Sequence, residues 1–422
     1  MREVRVRIKA ETFAAVQRDA VFCGAASAAG LDEAIGGRYT SIFPAFDPGA
    51  AMTSRLPFTP LVASLSATVP FVGAEAIERQ RGRRFVARIG ANESVFGPSP
   101  KAIAAMQRAV AEEAWLYGDP ELHDLKVALA ARHGVSPANI VIGGGIDGLL
   151  GLVVRLFVEP GTPVVTSLGG YPTFDYHVAG FGGRFVRVPY VEDRENLPGL
   201  VEALVREAAP LLYFANPDNP MASWWSAGEV EAAIERVPEG SVMILDEAYG
   251  EFAPAGTLPR VDANDPRVLR FRTFSKAWGM AGMRVGYGIG APELVSAFDK
   301  IRNHFGVGRV AQAGALASLD DAAWLERVVA AVDRSKARIG AIAAANGLTA
   351  LPSATNFVAV DCGRDGAFAR RVLDGLIGRD LFVRKPGVAP MDRCIRLSAG
   401  TDGDLDALAE ALPGALADAA AG

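Results

Sequence analysis

The 422-residue chain is poor in cysteine, histidine and lysine, and each shortage closes off a class of chemistry. Its three cysteines, Cys23, Cys362 and Cys394, are odd in number and far apart, which fits neither a disulfide framework nor a metal cluster. His123, His133, His177 and His304 lack any His-x-x-x-His or Cys-x-x-Cys spacing, so no zinc centre or other metal site is expected. No apolar run reaches the roughly 18 residues that a membrane span needs. The mixed-charge start (Arg2, Glu3, Arg5, Arg7, Lys9, Glu11) leads into no apolar signal core. With a formal net charge of −5 and scattered basic residues, nothing resembles the basic stripe that grips nucleic acid. Together these absences point to a cytoplasmic protein with small-molecule partners.

Half of the residues are apolar and 22% are charged, an ordinary globular balance at a length that suits two unequal domains. Residues 1–51 show no sustained periodicity and end in a loop-like Pro48-Gly49, ahead of a second candidate start at Met52. They are expected to be a poorly ordered, dispensable extension, followed by an N-terminal arm over 52–84. From about residue 85 short apolar runs alternate with amphipathic stretches, the pattern of an α/β domain. Ser99-Pro100 opens one helix, and Asp119-Pro120-Glu121 is expected to open another that closes at His133-Gly134. Strands are expected at 139–142, 163–167, 184–188, 211–215, 241–246, 268–272 and 285–289, a mostly parallel seven-stranded sheet covered by helices on both faces. This large domain is read as 116–310. Short strands at 355–360, 381–384 and 394–398 mark a smaller α+β domain over 311–422, joined by residues 85–115.

Three strand ends of the large domain carry polar groups. Lys276, one of only seven lysines, sits in the small, apolar, Gly-rich loop Thr273-Phe274-Ser275-Lys276-Ala277-Trp278-Gly279-Met280-Ala281-Gly282-Met283-Arg284. Burial disfavours a lysine's charge and frees a nucleophilic amine. Thr273, Ser275 and Arg284 beside it suit a phosphate dianion. Val242-Met243-Ile244-Leu245 runs into Asp246-Glu247-Ala248-Tyr249, and Leu211–Ala215 runs into Asn216-Pro217-Asp218-Asn219-Pro220, where α/β enzymes keep working residues. Taken singly, each is equally a surface lysine, a cap or a turn.

These motifs, in this order, resemble the fold-type I pyridoxal-phosphate aminotransferases, most of all the histidinol-phosphate aminotransferase branch. The resemblance runs from about residue 85 to the end. It includes Ala91-Asn92-Glu93-Ser94-Val95-Phe96-Gly97-Pro98-Ser99-Pro100 and Cys394-Ile395-Arg396-Leu397-Ser398. It implies that Lys276 carries pyridoxal 5'-phosphate as a Schiff base and serves as general base, and that Asp246 pairs with the pyridinium nitrogen. Asn219 and Tyr249 would hydrogen-bond the ring's phenolate oxygen, and Phe174 would stack on the ring. Gly145, Ile146 and Asp147 would offer a helix N-terminus to the phosphate, together with Thr273, Ser275 and Arg284. Tyr117 would reach the phosphate of a neighbouring subunit, implying a homodimer with shared active sites. Arg396 would fix the substrate's carboxylate or phosphate, with Asn356, Arg384 and His304 at the rim.

Gly143-Gly144-Gly145-Ile146-Asp147-Gly148 also satisfies a dinucleotide fingerprint in form. The acid expected some 20 residues on is not well supplied, since Glu159 lies in the turn Glu159-Pro160-Gly161, so the phosphate reading is preferred. Met221-Ala222 replaces the usual Thr-Gly after the second Asn-Pro, which bears on substrate more than on cofactor. The expected activity is transfer of an amino group between an amino acid, or histidinol phosphate, and a 2-oxo acid such as 2-oxoglutarate. A decarboxylase acting on a phosphorylated amino acid would share the cofactor residues. A regulatory protein on the same fold is the third alternative, although residues 1–80 show no helix-turn-helix pattern.

Overall fold

The computed structural model describes residues 56–67 and 71–421. The extension read over residues 1–51 lies outside the described residues. A two-residue strand β1 (Ala87–Arg88) comes first among the strands of the described residues. The large sheet follows with β2 (Ile140–Gly143), β3 (Pro163–Ser167), β4 (Arg184–Val188), β5 (Leu211–Ala215), β6 (Val242–Asp246), β7 (Val268–Thr273) and β8 (Gly286–Ile289). Their order across the sheet is β2-β8-β7-β6-β5-β3-β4. All neighbours are parallel except β8, which runs against both β7 and β2 and therefore begins at the edge where the others end. The seven strands match the expected positions to within a residue or so, because each is an apolar run bounded by turn residues.

Alternation along the strands divides the core. Leu211, Tyr213 and Ala215 of β5 join Ile244, Phe271 and the helix Gly145–Phe157 on one face. Leu212, Phe214, Met243 and Leu245 join the helices Leu197–Arg206 and Ala227–Glu235 on the other.

The remaining strands are β9 (Thr349–Ala350), β10 (Phe357–Asp361), β11 (Leu381–Phe382) and β12 (Cys394–Ser398). They form an antiparallel sheet β12-β10-β9 and a parallel pair of β1 with β11. Ala87 and Ile89 enter this smaller core beside Val358, Leu376, Ile395 and Leu408. Of the stretch 85–115 assigned to it from sequence, the helix Pro100–Glu113 behaves differently. Its Met106 packs with Val307, Ala311 and Ala315 against the large sheet's Tyr287.

The helix expected to open at Asp119-Pro120-Glu121 starts at His123 instead, after Leu122 with φ 56°. Asp119 still serves the helix start, as its carboxylate accepts from the His123 and Glu121 amides at 2.8 and 3.0 Å. Gly134 closes it in the left-handed conformation, as expected of a helix C-terminus.

Candidate active site

Register brings the functional groups to one edge. Ala215 lies opposite Asp246, which lies opposite Phe271, so the segments that follow β5, β6 and β7 emerge side by side. Thr273 and Gly143 both pair with Gly286 at the start of β8. The helix start at Gly145, the Ser275-Lys276 turn and Arg284 are therefore neighbours despite wide sequence separation.

Gly145 has φ +78°, and a Cβ there would lie 2.4 Å from Arg284 Nη2, so only glycine lets the guanidinium close over the helix N-terminus. Arg284 Nη1 donates to Ser275 Oγ at 3.3 Å, and Nη2 approaches Asp147 Oδ2 at 3.4 Å. First-turn amides, a partly exposed cation and a hydroxyl converge on one point, the donor set that a phosphate dianion takes. Thr273 does not share in it. Its buried hydroxyl donates to the Val285 carbonyl at 3.3 Å and accepts from the Ser275 amide at 3.0 Å, so it shapes the loop instead.

Asp246, buried at the end of β6, accepts from Tyr213 Oη at 2.7 Å and from the Ala248 amide at 2.9 Å. Burial pushes its carboxyl up to about 6, still ionised at neutral pH. Lys276 Nζ, half-buried, donates to the Asn92 carbonyl at 3.2 Å and lies 5.6 Å from the centre of the Tyr249 ring. Desolvation first, and then the charge of Arg396, bring the amine down to about 8. Tyr249 Oη accepts from Asn92 Nδ2 at 3.0 Å, while burial pushes the phenol up to about 12.

Asn92, quoted in the N-terminal motif but given no role from sequence, proves to be a hub. Its φ is 56°, a conformation asparagine tolerates better than most residues. Its amide and Oδ1 bond Ser398 Oγ at 2.9 and 3.1 Å, and its carbonyl takes bonds from both Lys276 and Asn356. All these partners lie more than 150 residues away, so nothing local announces the role. Asn356 is buried and donates to the Asn92 and Glu93 carbonyls at 3.1 and 3.4 Å, which makes it a brace for this segment and not a rim group.

Arg396 is half-buried on β12. Its Nη1 donates to Asn219 Oδ1, its Nη2 to the Gly90 carbonyl at 3.3 Å, and its Nε has no partner. No ion pair engages it among the described residues. Desolvation lowers it to about 10, which leaves it charged at neutral pH. Arg384, adjoining Arg396 through backbone bonds, donates to the Val72 carbonyl at 2.8 Å and lies 5.4 Å from the Phe71 ring centre. His304 is exposed.

Phe174 corrects the sequence reading. It is wholly buried and stacks on Tyr213 at 4.7 Å between ring centres, inside the sheet-facing core. Tyr171, three residues earlier at the helix start, is the aromatic that stays half-buried at the site, its hydroxyl 2.6 Å from Asp147 Oδ1. Tyr117 is 78% exposed, with its ring 4.8 Å from Phe305 and beside the equally open Trp115. Among the described residues no acid, histidine or cysteine cluster could hold a metal ion, and no helix is long and apolar enough to cross a membrane.

A buried acid at the end of β6, a lysine whose burial lowers its pKa and an anion cradle at a helix start are the working parts of an amino-group transferase. Residues 86–412 match the family model described as aminotransferase class I and II. The chain belongs to that family and is a pyridoxal-phosphate-dependent aminotransferase.

Within the family it is most like the histidinol-phosphate aminotransferase branch. It is 35% identical over 344 residues to histidinol-phosphate aminotransferase 2 of Carboxydothermus hydrogenoformans, covering 80% of this chain and 93% of that protein. It is also 35% identical to histidinol-phosphate aminotransferase 1 of Mesorhizobium japonicum, covering 80% and 92%. The crystal structure of histidinol-phosphate aminotransferase from Sinorhizobium meliloti in complex with pyridoxal-5'-phosphate superposes with a TM-score of 0.83 at 56% identity, over 87% of this chain and 99% of that one.

Proposed function

We propose that this aminotransferase takes histidinol phosphate as amino donor and a 2-oxo acid such as 2-oxoglutarate as acceptor, with Lys276 as the residue that carries pyridoxal phosphate. The names of its relatives support the donor. The observation that carries the site is the amine of Lys276, half stripped of water and brought down to about 8, beside the cradle of Gly145, Ser275 and Arg284.

The donor set fits the cofactor. The amides of Gly145, Ile146 and Asp147, the Ser275 hydroxyl and the Arg284 guanidinium would hold its phosphate, and Asp246 would face its ring nitrogen. Tyr171 would cover the ring in the part first given to Phe174, while Asn219 and Tyr249 would bond its phenolic oxygen. Pyridoxal phosphate, when bound, supplies an aldehyde that captures the amino group and a ring that accepts the electron pair left at the substrate Cα. Lys276 holds and moves the proton removed from Cα, a role that needs an amine neutral near working pH. Arg396 orients the substrate's anionic group so that the Cα–H bond is the one to break.

Tyr117, with Trp115 and Phe305, supports a homodimer in which one protomer completes the other's site. The domain boundaries at 85 and 310 stand as part of the same proposal, with the one at 115 moved to the start of the helix Pro100–Glu113, and so does a cytoplasmic setting.

The test is reduction of the loaded protein with borohydride, followed by peptide mass mapping. The cofactor mass is expected on the peptide holding Lys276, and Lys276→Ala is expected to stay folded while losing turnover. Label on any other lysine removes the assignment. Turnover of histidinol phosphate is then compared with that of phenylalanine and aspartate, and a preference for either amino acid overturns the proposed donor.

A further inference from the structure

Two acids near the site enter none of the roles above. Glu195 and Asp218 are each 1% exposed, and neither has an ion-pair partner among the described residues. Isolated buried carboxylates are costly unless bonded or neutralised. One phenol links them. Tyr190 Oη lies 2.7 Å from Asp218 Oδ1 and 3.4 Å from Glu195 Oε1.

A phenol has a single proton to give. The shorter contact shows it donated to Asp218, which leaves two oxygens facing each other on the Glu195 side. Only a proton on Glu195 turns that second contact into a hydrogen bond. The other partners agree. Asp218 Oδ2 accepts from the Met221 amide at 3.0 Å and from Ser223 Oγ at 3.5 Å, so with Tyr190 three donors point at Asp218, as befits an anion. Glu195 accepts a single further bond, from the Ala215 amide at 3.2 Å.

The chain of bonds therefore runs from a Glu195 acid to the Tyr190 phenol to the Asp218 carboxylate. It carries one negative charge, at the end nearer Asn219 in sequence. Asn219, a neutral amide, is the residue that accepts from Arg396, and among the described residues Arg396 has no ion-pair partner.

We propose that Asp218 is a positioning residue for anion capture: the Glu195–Tyr190–Asp218 relay fixes one negative charge beside the Asn219–Arg396 pair, offsetting part of the arginine's charge and loosening the grip on a carboxylate. The offset favours release of product and keeps Arg396 from being locked by any passing anion. The proposal rests on Arg396 as the anchor of the substrate's anionic group. The titratable and charged groups facing the relay are Arg396, Tyr249, Tyr213 and, behind Tyr213, Asp246. Burial pushes Asp218 up to about 7 and holds Glu195 well above the usual carboxylate range, consistent with the proton residing on Glu195.

The experiment measures the dissociation constant of maleate, a dicarboxylate with no amino or oxo group to turn over, on the cofactor-loaded protein between pH 5.5 and 8.5. Asp218→Asn removes the charge but keeps a polar group of the same shape. At pH 8.5 it is expected to bind maleate more tightly by on the order of tenfold, the size of a nearby charge at protein-like dielectric. The ratio of wild-type to Asp218→Asn dissociation constants is expected to fall toward one at pH 5.5, where the wild-type acid is itself protonated. Taking the ratio cancels the titrations that the two proteins share.

Glu195→Gln, whose amide donates to Tyr190 as the acid does, is expected to bind maleate like wild type. Infrared difference spectra give an independent reading: wild type at pH 8.5 should show the carbonyl stretch of a protonated carboxylic acid, absent in Glu195→Gln. A pH-independent ratio near one, or a wild type lacking that band, overturns the proposal. Arg396→Lys with unchanged maleate affinity would instead overturn the anchor role, while leaving the band in place.

Discussion

Arg396→Lys tests whether the guanidinium is the anion anchor. In the folded protein its two terminal nitrogens are steered by Asn219 Oδ1 and the Gly90 carbonyl, and its Nε is left unbonded. A carboxylate arriving there meets a planar fork already held in place, so little rotamer freedom is lost on binding. Lysine keeps the charge but loses the fork and the contacts to Asn219 and Gly90. A charge-assisted hydrogen bond to a buried group is worth roughly 1.5–3 kcal/mol. At about 1.4 kcal/mol per factor of ten, the loss corresponds to roughly a ten- to hundredfold fall in kcat/KM for the 2-oxo acid. The assay is steady-state kinetics over a range of 2-oxoglutarate, with carbon dioxide release followed in parallel and a thermal melt to confirm folding. If kcat/KM falls less than threefold while the melt is unchanged, or if carbon dioxide is already the main product of wild type, the anchor is elsewhere.

Two further expectations follow from the same geometry. Gly279 has φ +69°, and a Cβ there would lie 2.2 Å from the Gly97 carbonyl group, so Gly279→Ala combines left-handed strain of about 1–2 kcal/mol with a forced shift of the segment holding Asn92. Both the melting temperature and the share of protein retaining cofactor after dialysis should fall; an unchanged pair of values would mean the contact does not hold that segment. For Lys276 the sign is set by its lowered pKa of about 8: at pH 7 about 9% of the amine is neutral, against about 0.03% for an ordinary lysine. In cofactor-free protein, labelling of Lys276 by an acylating reagent should rise about tenfold per pH unit below 8 and level off above it. A rate still rising steeply between pH 9 and 10 would mean an ordinary amine.

The sheet was legible because apolar runs such as Leu211–Ala215 and Val242–Asp246 are cut off sharply by polar or turn residues, and a buried strand leaves no other signature. The start of the helix before Ala130 was not. Proline and acid at 120 and 121 imitate a first turn, while the left-handed Leu122 that delays it carries no compositional mark. Tyr171 and Phe174 show the same limit within the site. Both are aromatic and lie in one four-residue stretch, and which of them turns to the core depends on the packing partner Tyr213, some 40 residues on. The strand-end groups Asp246 and Lys276 could be picked out by chemistry and order. Thr273 was misjudged because a hydroxyl beside a lysine looks available until its loop partner, the Val285 carbonyl, is known. Asn92 was passed over because every bond that gives it a role reaches across the chain.

The reversal of β8 has a mechanical consequence. Thr273 and Gly286 are paired, and the Phe274 amide bonds the Val285 carbonyl at 3.0 Å just beyond them. Residues 274–285 are thus a ring of chain clasped at its neck, and the amine of Lys276 and the guanidinium of Arg284 are both mounted on it. Internal bonds from Gly279 to Lys276 and from Met280 to Phe274 brace the ring from within. Their mutual spacing is then a property of one small clasp and does not depend on how the helices or the smaller sheet shift during a catalytic cycle. Arg284 Nη1 also donates to the Ala281 carbonyl at 3.0 Å, so added or lost residues at the ring's outer rim, around Ala281 and Gly282, would move the guanidinium while the neck still holds the amine, and the length of the rim sets where the anion cradle sits relative to Lys276.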